Sequence, residues 1–138
     1  MIRDNLQSIV TEVSSWEGVT AAPHRFGGTE FNLDKVEIGH VHTGGLVDIP
    51  YTKKIRDALV ADNQAQPHHL LDESGWISFY LRNEDDVEQA VRLFRLSYLQ
   101  KRYRRDRTFD AATYRVELAR LGFDNTVMEA ASGVESAG

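Results

Sequence analysis

The 138-residue chain contains no cysteine. Disulfides, thiolate metal sites, iron–sulfur clusters and thiol nucleophiles are excluded together. It also lacks a long hydrophobic run: nothing approaches the roughly 18 apolar residues of a spanning helix. Met1-Ile2-Arg3-Asp4-Asn5 is too polar to open a signal peptide, so the expected location is cytoplasmic, with no membrane partner. Charge of one sign is not in large excess. Sixteen Lys and Arg against 21 Asp and Glu leave −5, which argues against a general polyanion binder but allows a local basic patch. No internal repeat is present. With 41% apolar and 27% charged residues, usage is that of a globular chain rather than a disordered or fibrous one. At 15.6 kDa it predicts one domain, or one domain with an appendage.

Ile2, Leu6, Ile9, Val10 and Val13 recur at three- and four-residue steps, which predicts an amphipathic helix over 2–16 ended by Gly18. The helical period then disappears. Strands are expected near 20–26, 29–34 and 35–43, turning at Gly27-Gly28 and Asp34-Lys35. In the third, alternation places Val36, Ile38, His40 and His42 on one face and Lys35, Glu37, Gly39 and Val41 on the other. Leu46 to Pro50 reads as a short extended link. Thr52 caps a helix over 52–62 with Ile55 and Leu59 inward. Trp76 to Arg82 is the most strand-like segment, and Asn83 caps a long helix reaching 101, whose acidic first turn suits the helix dipole. A last helix spans about 110–121, from Asp110 to Gly122, and the final dozen residues should fray. The order α-β-β-β-α-β-α plus a C-terminal helix predicts an α+β fold: a small, mostly antiparallel sheet of about four strands with helices packed on one face.

His40 and His42, two apart on a strand, aim both imidazoles from one face, as a metal or ligand site requires; His24 or His69 is a candidate third group, and Glu30 or Glu37 a candidate carboxylate. The bland alternative is half-buried imidazoles bonded to backbone. In Pro23-His24-Arg25-Phe26-Gly27-Gly28, the glycines allow close backbone approach and Arg25 offers a planar fork for a carboxylate or phosphate. A hairpin turn with Arg25 paired to an acid explains the same residues. His68-His69 before Asp72-Glu73 pairs a general base with a carboxylate, against a simple loop reading. Ser74 and Ser78 lack a nucleophile-elbow context, which argues against a Ser-His-Asp hydrolase. Lys101-Arg102-Tyr103-Arg104-Arg105-Asp106-Arg107 carries +4, while the other 131 residues carry −9. Cations interleaved with Tyr103 suit phosphates and a stacked base; a solvated junction at a helix C-terminus is the alternative.

Three groups of residues share a pattern. They are Trp16-Glu17-Gly18-Val19; Pro23 to Phe31 with Glu37-Ile38-Gly39-His40-Val41-His42; and Leu46-Val47-Asp48-Ile49-Pro50, Pro67-His68-His69 and Ser74 to Phe79. Together they resemble the small luciferase domain-containing family over residues 13–102. The division expected from this is a luciferase-family α+β domain over 1–102 and an appended helix with a flexible tail over 103–138. The family name implies light emission, but no reaction is assigned. The chain has no G-x-G-x-x-G turn and no P-loop, and a flavin-dependent luciferase barrel needs roughly 250 residues. In order of elements, and in Trp76 with Ser97-Tyr98, the chain is also similar to the MmcQ/YjbR-like proteins.

The leading functional expectation is a ligand-binding or interaction module, with His24, Arg25, His40, His42 and His69 lining a pocket on the sheet. The second is a nucleic-acid binder using Lys101, Arg102, Arg104, Arg105 and Arg107, and the third a metal-dependent enzyme built on the histidines. No cofactor is assigned and no residue is committed as a metal ligand. The expected partner is a small ligand or a protein, and a homodimer is compatible with the sequence.

Overall fold

The apolar spacing of the N-terminal segment produces helix α1 (Ile2–Ser14), which buries Ile9 and Val13. The computed structural model describes residues 2–24, 27–68, 70 and 74–133. Strands β1 (Val19–Pro23), β2 (Thr29–Leu33) and β3 (Val36–Val41) follow as an antiparallel meander. Gly28 makes the first hairpin possible. Its φ is +90°, and a Cβ there would stand 2.0 Å from the Val41 carbonyl oxygen.

Leu46–Pro50, expected as a link, is instead strand β4, lying between β3 and β6 (Trp76–Tyr80). Helix α2 (Lys53–Ala61), capped by Thr52, and the two-residue strand β5 (Gln66–Pro67) precede β6. The result is six antiparallel strands in the order β1-β2-β3-β4-β6-β5 rather than about four. All three prolines, Pro23, Pro50 and Pro67, stand at the last position of a strand.

Helix α3 (Asp85–Arg105) extends four residues past the expected end and packs on α1 and on β2, β3 and β4. Phe31, Ile38, Val47, Ile49 and Ile77 from the sheet meet Ile9, Val13, Leu93 and Phe94 from these helices in one core. Asp110 caps α4 (Ala111–Ala119), and Tyr114 and Leu118 are buried. Where fraying was expected, Asn125–Ser132 form helix α5, capped by Asp124 and seated on α2 through buried Val127 and Ala131. No helix among the described residues is long and apolar enough to cross a membrane.

Candidate metal centre

The candidate site forms where the alternation of β3 is interrupted. Phe31 pairs with Gly39, but the next residue, Asn32, pairs with Glu37, so Ile38 is an extra residue with no ladder partner. This bulge corrects the expected facing. Ile38 joins the core, and Glu37 moves to the side carrying His40, its Oε2 2.5 Å from His40 Nδ1. Buried Ser97 of α3 donates to the Ile38 carbonyl at 2.8 Å, satisfying a backbone group that the bulge leaves outside the ladder. Gly39 leaves room on the core side: a Cβ there would lie 2.8 Å from the Phe94 ring and 2.9 Å from Ile49.

Pairing across the sheet then aligns Glu30, His40, Asp48, Ser78 and Gln66 in one row. Asp48 is 1% exposed. Its Oδ1 accepts from Ser78 Oγ at 2.7 Å, and its Oδ2 faces His42 Nε2 at 2.9 Å, His40 Nε2 at 3.4 Å and His68 Nε2 at 3.6 Å. One ligand atom each from His40, His42 and Asp48 fall within 4.8 Å of one another. His68 plays a different part. Its Nδ1 accepts from the Leu70 amide at 3.1 Å, so its hydrogen sits on Nε2, towards the carboxylate. His24 stacks on His40 with ring centroids 4.0 Å apart and meets His42 edge-on at 5.6 Å. Trp76 closes the other side, 5.6 Å from the His40 ring.

Burial alone would lower the His40 pKa, but hydrogen bonds to Asp48 and Glu37 outweigh it and raise the value to about 9. Burial works in the opposite direction on Asp48; its hydrogen bonds from His40, Ser78 and His42 prevail and hold it well below the usual carboxylate range. Burial, then the neighbouring His40 charge, lowers His24.

Residues 35–97 match the family model described as Luciferase domain. Over that stretch the chain is similar to the luciferase-domain family. The matched stretch runs from β3 into α3 and includes His40, His42, Asp48, His68 and Ser78 of the site, leaving His24 and the 101–107 run outside it. No curated protein and no solved structure matches the chain. The luciferase-domain match does not bear on the MmcQ/YjbR likeness.

Of the five site residues expected from sequence, His24, His40 and His42 come together, whereas Arg25 and His69 lie outside the described residues. Asp72 and Glu73, weighed as partners of His68, lie outside them as well. Asp48 was missed as a site residue because its strand was read as a link. A lone acid between Val47 and Ile49 in an extended segment is the signal that could have found it. Ser78 gives its hydroxyl hydrogen to Asp48 rather than to an imidazole.

The basic run does not present one face. Arg102 binds Glu17 and Tyr98, and Tyr103 stacks on Tyr114 at 4.2 Å, so one face of the ring expected to hold a base is covered. Lys101 turns inward to donate to the Pro50 carbonyl and Ser97. Arg104, Arg105 and Arg107 are exposed.

Proposed function

We propose that this domain is a binding module for a divalent transition-metal ion, held by His40 Nε2, His42 Nε2 and Asp48 Oδ2. The observation carrying this reading is the convergence of both imidazole nitrogens on one carboxylate oxygen at 3.4 and 2.9 Å. Ligands at about 2.0 Å from a tetrahedral ion stand about 3.3 Å apart, so little movement is needed to admit one. Two further features support it. Glu37 binds the second nitrogen of His40, the carboxylate–histidine–metal arrangement that orients a ligating ring. Ser78 takes Asp48 Oδ1, so it is at Oδ2 that His40 and His42 converge. Glu30, Glu37 and Asp48 give this sheet face an acidic surplus over a charged His40, which favours a cation.

Two imidazoles and one carboxylate suit zinc or nickel, and the same composition with open positions holds ferrous iron in non-haem oxygenases. The test is calorimetric titration of EDTA-stripped, dialysed chain with Zn²⁺, Ni²⁺ and, anaerobically, Fe²⁺. One saturable site per chain is expected for at least one ion, with affinity lost in His42→Ala and Asp48→Asn. Absence of saturable binding by all three, or unchanged affinity in His42→Ala, refutes the reading.

A further inference from the structure

A second concave site lies at the opposite end of β4, a groove of about 650 Å³ between the start of α2 and the end of α3. Its wall carries Lys101, Arg104 and Arg105, and no carboxylate among the described lining residues. Arg104 and Arg105 form no ion pair with a described residue, unlike Arg102 between them and α1's end. In a chain of net charge −5, three cations gathered at one groove, with the Glu37 carboxylate acting on Lys101, still make a local inversion of the overall field. Gln100, 7% exposed, also lines the groove, and no hydrogen bond joins its side-chain amide to another described residue, so the amide is open to a ligand in the groove. Thr52 brings the N-terminal end of the nine-residue α2 to the same wall, where the helix dipole favours negative charge.

We propose that this groove binds a small phosphorylated anion, with Arg104 and Arg105 contacting its phosphate oxygens, Lys101 supplying charge from the floor and the Gln100 amide supplying a neutral donor. The inference is independent of the metal reading, since none of these residues belongs to the histidine face. It also differs from a nucleic-acid surface. The cations face a bounded groove, and Arg102, which would extend a strand-binding track, is engaged by Glu17 and Asp106.

The test uses inorganic pyrophosphate as the probe, titrated in EDTA and followed by calorimetry and thermal melting. Saturable one-to-one binding with a rise in melting temperature is expected. Arg104 and Arg105 are exposed and unpaired, so an Arg104→Gln, Arg105→Gln double variant keeps the parental melting temperature without ligand. It binds pyrophosphate about tenfold or more weakly, through loss of two charge-assisted contacts. His42→Ala binds as the parent does. The proposal is overturned by absence of saturable binding at millimolar pyrophosphate, by equal affinity in the double variant, or by loss of binding in His42→Ala. A single-stranded oligonucleotide that binds through Arg104 and Arg105 and is not displaced by pyrophosphate also overturns the small-anion assignment.

Discussion

Replacing Asp48 with asparagine keeps the shape of the side chain and removes only its charge and one acceptor oxygen. In the parent, the 1% exposed carboxylate accepts from Ser78 and faces three imidazoles between 2.9 and 3.6 Å, and His40 is protonated at neutral pH because its pKa is raised to about 9. An asparagine oxygen can still serve Ser78, but its amide then turns N–H groups towards imidazole N–H groups. Removing one partner of a buried charge pair costs about 3–5 kcal/mol when the other charge is stranded. Two terms reduce that here. Glu37 stays 2.5 Å from His40, and a buried carboxylate no longer has to be desolvated. A net loss of about 2–3 kcal/mol remains, which for a chain of this length lowers the melting temperature by roughly 6–12 °C. Urea denaturation of metal-free parent and Asp48→Asn at pH 7, with EDTA present, measures the difference. A variant within about 0.5 kcal/mol of the parent would show that carboxylate burial cancels all of its contacts, and would refute the reasoning.

Ser97→Ala leaves the Ile38 carbonyl of the bulge without its buried donor, so a loss of about 1–3 kcal/mol is expected in the same denaturation assay, and an unchanged midpoint contradicts the role assigned to α3. Lys101 is a pH-dependent case: burial, then the Arg104 charge, lowers its pKa from 10.5 to about 8. Between pH 8 and 10.5 the unfolded chain therefore holds the proton more tightly than the folded one, and the parent gains stability as pH rises. Against Lys101→Met, that gain is about 2 kcal/mol between pH 7.5 and 10.5, and a pH-independent difference between the two proteins would falsify it.

Period-two and period-3.6 patterns located the elements that bury an apolar stripe. The expected helices over 2–16, 52–62 and 83–101 correspond to α1, α2 and α3, and the Thr52 and Asp110 caps form as read. Alternation failed at a bulge, because pairing with β2 inserts Ile38 as an extra residue, and no local propensity in Glu37-Ile38-Gly39 marks where the count slips. Alternation alone puts Glu37 on the face opposite His40, and it is the bulge that brings this candidate carboxylate to the ring. Asp48 was hidden for a different reason. A five-residue strand bounded by Gly45 and ended by Pro50 resembles a connector until β3 and β6 are seen on either side of it. The packing of α5 was equally invisible locally, since Val127 and Ala131 gain their burial from α2, over sixty residues earlier.

The prolines that close β1 and β5 bear on how copies of this chain can meet. β1 and β5 are the two edges of the sheet, and each ends in a residue that has no amide hydrogen to offer an incoming strand. β5 adds only two residues of ladder, too few to template another chain, and β1 is five residues long. Sheet continuation from molecule to molecule, the usual route to fibrils and to strand-swapped dimers, is therefore disfavoured at both ends. Self-association built from surface side chains would instead answer to substitutions of those side chains rather than to changes in strand register.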